Sequence, residues 1–243
     1  MLAAAGAPDL ALTTNGQRLE ELAEPLKQSG LRRVNISLDS LDPRTFAALT
    51  SGGVLSKTLD GIGAARRAGL DPVKLNVVVL RGLNDREAPA LLRFAMQQGC
   101  QVRFLELMPI GVAADGFEDL FVSSAEVRFT LAREFGLAPL PVRPEDTSRN
   151  FVAEDARGRR AIVGFISPYS EPFCGACARL RLTATGVLMG CLARDEGIPL
   201  APLLRGPSGP DVKALEGAVE AAFGTKRRDG AFRQPCAMVG IGG

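Results

Sequence analysis

Between residues 9 and 108 the chain alternates short apolar runs with helical patterns, and this alternation constrains the fold more than any other feature. Residues 10–14 form an apolar run stopped by the Asn15-Gly16 turn signal. Residues 17–28 carry Leu19, Leu22 and Leu26 on one helical face, with Gly30 as the stop. Residues 34–39 read as the next strand, and Asp42-Pro43 opens a helix with proline where its missing N–H costs nothing. Leu55, Leu59 and Ile62 mark a helix ending at Gly69, and residues 73–80 form a nearly continuous buried strand. Asn84-Asp85 leads a helix through Met96, closed by Gly99, and residues 102–108 form a fourth strand. Such alternation predicts an α/β fold with parallel strands and crossover helices. Chemistry then collects at the carboxyl ends of the strands. Thr13, Thr14, Ser37, Asp39, Lys74, Asn76 and Glu106 stand there, with Met108 just beyond. They form either a polar site or strand ends satisfied by nearby loops. Closing a (β/α)8 barrel takes roughly 200 residues or more. A partial βα barrel lacking its first units is therefore expected.

The predicted organisation is a residual barrel over 1–108, a linker with one helix over 109–150, and a C-terminal α+β region over 151–243. Ser123 and Glu126 read as a capping box ahead of Val127, Leu131 and Phe135. Pro139, Pro141 and Pro144 are expected to end that helix and stiffen the linker. Residues 161–166 and 179–183 read as strands, and Asp211 caps a last helix carrying Val212, Leu215, Val219 and Phe223. A Lys226-Arg227-Arg228 patch and a Gly240-Ile-Gly-Gly243 tail follow.

Composition removes several function classes. Histidine is absent, which excludes Ser-His-Asp and Cys-His catalysis and His-containing zinc motifs. Twenty-nine basic and 27 acidic residues leave a net charge of +2, so no global polyanion field is implied. Trp is absent and Tyr169 is the single tyrosine, which argues against an aromatic nucleic-acid platform. No stretch approaches the ~20 apolar residues of a membrane span, and residues 1–10 do not resemble a signal peptide. A reduced, cytoplasmic setting is the expectation, and there clustered cysteines point to metal or redox chemistry.

Three of the five cysteines, Cys174, Cys177 and Cys191, are spaced C-x2-C-x13-C. They suit zinc, an Fe–S cluster with one open iron position, or unligated core thiols. Cys236, Asp195 or Glu196 would be candidate fourth ligands, while Cys100 reads as an ordinary buried thiol. Arg179 and Arg181 follow at once; alternating on a strand, both would face one pocket and suit bidentate phosphate binding.

Taken together, several stretches closely resemble the GTP 3′,8-cyclase family, radical S-adenosylmethionine enzymes of molybdenum cofactor biosynthesis. They are Leu12-Thr-Thr-Asn-Gly16, Arg33-Val-Asn-Ile-Ser-Leu-Asp-Ser-Leu-Asp42, Val73-Lys-Leu-Asn-Val-Val-Val79 and Arg103-Phe-Leu-Glu-Leu-Met-Pro109. Gly164-Phe-Ile-Ser-Pro168, Phe173-Cys-x-x-Cys-x-Arg-Leu-Arg-Leu182 and Ile241-Gly-Gly243 complete the set. The resemblance implies an incomplete βα barrel, S-adenosylmethionine as cosubstrate, and GTP as substrate. The product would be 3′,8-cyclo-7,8-dihydro-GTP, passed to a cyclic pyranopterin monophosphate synthase. It implies that Cys174, Cys177 and Cys191 hold a [4Fe-4S] cluster. Thr13, Lys74, Arg179, Leu180 and Arg181 would contact GTP, and Ser37 and Met108 would line the S-adenosylmethionine site. Gly242 and Gly243 would be the catalytic tail. No nucleic acid or membrane partner is implied, and a homodimer is compatible. The family's C-x3-C-x2-C and Gly-Gly-Glu-Pro motifs do not occur in this sequence. The expectation is thus an N-terminally truncated form, inactive alone. A non-catalytic GTP/Fe–S module and a zinc-stabilised structural domain are the competing readings.

Overall fold

Alternating side chains along the first four strands build a sheet with one apolar and one polar face. The computed structural model describes residues 4–143, 146–206, 209–226 and 232. In chain order it begins β1 (Ala11–Thr14), α1 (Leu19–Gln28), β2 (Arg33–Ser37), α2 (Pro43–Leu49), α3 (Leu55–Arg67), β3 (Val73–Val79), α4 (Ala88–Gln98) and β4 (Gln101–Glu106). Then follow α5 (Phe117–Leu120), α6 (Ser124–Ala132), β5 (Gly136–Pro139), β6 (Arg149–Glu154) and β7 (Arg160–Ile166). β8 (Arg181–Leu182), β9 (Val187–Met189), β10 (Ile198–Pro199), α7 (Ala201–Leu204) and α8 (Val212–Gly224) complete it.

Two units are compact. The first comprises Met1–Glu106, Leu120–Val142 and Ser148–Ser167, and the second Leu107–Asp119, Arg143–Thr147 and the described part of Pro168–Gly243. The first unit is mixed α/β around a seven-stranded sheet of order β1-β2-β3-β4-β7-β6-β5. The β1–β2, β2–β3, β3–β4 and β4–β7 pairs are parallel, while β6 pairs antiparallel with β7 and with β5. Val34, Ile36, Leu75, Val77, Val102, Phe104, Val163 and Phe165 are buried in one core with Ile62, Leu91, Leu92 and Leu131 from the helices. Each such large side chain contributes roughly 1.5–3 kcal/mol by leaving water.

Local chemistry explains the helix ends. The Asp42 side chain accepts from the N–H groups of Arg44 and Thr45, with Pro43 at the first helical position. Ser123 and Glu126 make the expected capping box. Gly99 ends α4 at φ 60, a left-handed conformation that glycine adopts freely.

Three expectations change. Residues 151–167, read as the opening of a separate region, continue the main sheet, because β6 and β7 complete the backbone ladder on β4. Within the expected linker, residues 136–139 are strand β5; Pro139 is accommodated because β5 is an edge strand among the described residues. The last helix buries Ala218 and Ala222, while Val212, Val219 and Phe223 are 64%, 40% and 41% exposed. Gly190 explains that choice: a Cβ there would stand 1.8 Å from the Ala222 carbonyl oxygen, so only glycine lets α8 approach through its small residues.

Candidate functional site: a cationic sheet face and a cysteine loop

In the first unit, the face opposite the core carries two polar rows set by strand register. Thr13 pairs with Asn35, and Asn35 with Lys74, across β1, β2 and β3. One step further along, Ser37 pairs with Asn76, Asn76 with Arg103, and Arg103 with Gly164. A Cβ on Gly164 would meet Ser148 Oγ at 2.3 Å, Asn150 Oδ1 at 2.7 Å and Arg103 Cγ at 3.3 Å, so the missing side chain makes room for this polar cluster.

The charge on this face is strongly one-sided. Burial, then repulsion from Arg103 and Arg33, pushes Lys74 down to about 8, with Asp9 opposing weakly. Burial and Arg33 also lower Arg103. Asp9 lies 2.7 Å from Arg33 and is held below the usual carboxylate range by that hydrogen-bonded pair. Asn35 Nδ2 donates to Thr13 Oγ1 at 3.2 Å. The Oδ1 atoms of Asn35 and Asn76 are buried without a hydrogen-bond partner. Such a face suits an anion that also brings hydrogen-bond donors.

Lys74 and Asn76, expected at the carboxyl end of their strand, stand instead no further than the middle of β3, because that strand runs on to Val79. The groups at or beyond the strand ends are spoken for. Thr14 Oγ1 accepts from Gly16 N–H at 3.2 Å, which shapes the turn. Asp39 accepts from Val78 N–H at 2.8 Å, and its burial raises its carboxyl. Glu106 is buried and accepts from Ser124 N–H at 2.9 Å, anchoring the start of α6. Arg33, Asn35 and Arg103 were not singled out from the sequence. Their signal was the polar residue at every second position of β2 and at Gln101 and Arg103 in β4.

In the second unit, Cys174 opens a single 3-10 turn, Cys177 N–H donates to the Cys174 carbonyl at 3.3 Å, and Cys191 follows β9. All three cysteines are half-buried. Burial would raise Cys177, but hydrogen bonds from Arg179 and the charges of Arg179 and Lys226 outweigh it and lower the thiol. Lys226 Nζ lies 3.8 Å from Cys177 Sγ and also donates to the Arg179 carbonyl. Burial and Arg179 lower Arg181, whereas Cys191 and Cys177 pull it upward, so Arg181 lies within electrostatic reach of both sulfurs. Arg179 precedes β8, which is only two residues long, and stacks over Phe173 at 5.1 Å. The expected alternation of both arginines on one strand is therefore replaced by a stacked Arg179 and a more buried Arg181. Leu180 between them is half-buried.

Among the described residues, no group of three His, Cys, Asp or Glu side chains is placed to hold a metal ion. The donor chemistry of three cysteine thiols beside Arg179, Arg181 and Lys226 nevertheless fits a cluster that binds thiolates. Asp195 and Glu196 are exposed, and Cys236, Gly242 and Gly243 lie outside the described residues. Met108 is half-buried, its carbonyl accepting from Ile110 N–H at 2.8 Å. Cys100 is buried, and that burial pushes its thiol to about 11, as expected of an inert core cysteine.

Comparison with known proteins gives a family model described as Molybdenum Cofactor Synthesis C over residues 100–232, more than half of the chain. The chain belongs to the Molybdenum Cofactor Synthesis C family. A Radical SAM superfamily model matches residues 2–95. Curated relatives of this family member include a GTP 3′,8-cyclase of Marinobacter nauticus, 43% identical over 89% of this chain and 65% of the relative. Another, from Pseudomonas putida, is 42% identical over 91% of this chain and 66% of the relative. A third, from Rhizobium etli, is 39% identical over 91% and 62%. The chain thus spans about 65% of the length of the curated relatives it matches. Among the described residues, no helix is long and apolar enough to cross a membrane.

Proposed function

We propose that this chain carries the GTP-binding and second-cluster portion of a GTP 3′,8-cyclase, in a reduced, cytoplasmic setting. The carrying observation is the cationic polar face on which Arg33, Lys74 and Arg103 project among uncharged hydrogen-bonding groups. In this reading the parallel strands belong to a partial βα barrel. Thr13, Lys74, Arg179, Leu180 and Arg181 are the GTP-contacting residues. Ser37 and Met108 line the S-adenosylmethionine site, and Gly242 and Gly243 form the catalytic tail.

Cys174, Cys177 and Cys191 would hold a [4Fe-4S] cluster, whose open iron position would offer a Lewis-acid contact to the purine. The chain's own groups do the remaining work. Lys74 and the arginines neutralise phosphate charge, with Arg the better bidentate partner. Their partial burial strengthens that attraction relative to a fully wet surface. The overall reaction would convert GTP to 3′,8-cyclo-7,8-dihydro-GTP for a cyclic pyranopterin monophosphate synthase.

The test is anaerobic reconstitution with iron and sulfide, followed by metal analysis and calorimetric titration with GTP. Iron and sulfide without zinc, lost when Cys174, Cys177 and Cys191 are changed to serine, together with GTP binding, are expected. Zinc alone, or no GTP binding, would sink the reading. Because the sequence has no C-x3-C-x2-C, the same protein should release no 5′-deoxyadenosine from S-adenosylmethionine. That absence also favours, as a second reading, a binding module without catalysis of its own.

A further inference from the structure

The central residue of the first polar row, Asn35, has a buried oxygen without a partner. Its Nδ2 is committed to Thr13 Oγ1 at 3.2 Å, and no hydrogen bond from Lys74, its register neighbour, closes on Oδ1. A buried acceptor left unpaired is costly, and native structures rarely keep one without a reason. Flipping the amide would only exchange an orphan acceptor for an orphan donor. The cations Lys74, Arg103 and Arg33 on this face favour the oxygen on the inner side. Thr13, having accepted from Asn35, keeps its own hydroxyl proton for another acceptor. Across three strands the row therefore offers donor, acceptor, donor.

We infer that Asn35 is a specificity-determining residue that accepts a hydrogen bond from a ribose hydroxyl of the nucleotide, between phosphate-directed Thr13 and Lys74. The inference rests on the reading of this face as a nucleotide site. It extends that reading by assigning discrimination between ribo- and deoxyribonucleotides to one side chain. A phosphate brings only acceptors at neutral pH, so it cannot satisfy Asn35 Oδ1; a sugar hydroxyl on the same ligand can.

The test compares binding of GTP, 2′-deoxy-GTP and 3′-deoxy-GTP to the chain and to its Asn35→Leu variant by calorimetry, with thermal melting of both free proteins. The wild-type chain should bind GTP about tenfold more tightly than at least one deoxy analogue, the size expected of one neutral hydrogen bond. Asn35→Leu should erase that ratio by weakening GTP alone, and the free variant should melt no lower than wild type because it sheds an unpaired buried acceptor. Thr13→Val supplies a second variant should leucine fail to fold; freeing the amide should shrink the same ratio. GTP binding with a ratio unchanged by both substitutions overturns the inference and leaves the nucleotide reading standing. No GTP binding by the wild-type chain overturns both.

Discussion

Lys74 and Cys177 are perturbed in ways that separate experiments can read. Lys74 loses its proton near pH 8 in the folded chain, against 10.5 as its ordinary value. Between those values the unfolded state holds more protons than the folded one, so the Lys74 contribution to stability rises with pH through that window. Anion binding has the opposite sign, since a phosphate favours the charged lysine. Affinity for GTP should therefore weaken several-fold from pH 7 to pH 9. Lys74→Met should bind more weakly and lose most of that pH dependence, as calorimetry at the two pH values would show. The cysteines differ just as clearly. Alkylation by iodoacetamide at pH 7.5 should label Cys177 well before Cys100, whose thiol is buried and raised to about 11. Peptide mapping that finds Cys100 modified first would contradict both placements. At this scale the sequence made Thr13 and Lys74 legible through motif likeness, but not Asn35. Attention goes to strand ends in a parallel fold, whereas Asn35 sits at the middle of β2.

Elements were legible where local chemistry decides them and less so where packing does. The Ser123–Glu126 capping box needs only four residues of context and stands as read. Ser123→Ala should cost about 1 kcal/mol of stability in a denaturant titration. The face of α8 depends on a glycine more than twenty residues upstream in the chain, which no helical period can reveal. Gly190→Ala places its Cβ against the Ala222 carbonyl and should destabilise the β9–α8 contact by about 1–3 kcal/mol. An unchanged melting curve would show that the two elements part more easily than their spacing implies. Strand β5 was missed because a four-residue strand ending in proline has the composition of a linker; only its antiparallel ladder with β6 makes it a strand.

Across the whole molecule, the parallel α/β character followed from the alternation of elements, since each crossover helix must cover the sheet it connects. The limits of each unit did not follow from it. The residues that read as three consecutive regions are distributed instead over segments that leave one unit and return to it. The residues singled out from the sequence divide in the same way: Thr13, Ser37 and Lys74 belong to the first unit, and Met108, Arg179, Arg181 and the three cysteines to the second.

The chain passes from one unit to the other at 106/107, 119/120, 142/143, 147/148 and 167/168. No single cut separates one whole unit from every segment of the other. A protease nick at 119/120, 142/143 or 147/148 severs both bodies, whereas one at 106/107 severs only the first and one at 167/168 only the second. A fragment cut at 167/168 would keep every strand of the seven-stranded sheet but also carry Leu107–Asp119 and Arg143–Thr147, so whoever expresses the sheet alone inherits two orphaned segments of the cysteine-bearing body.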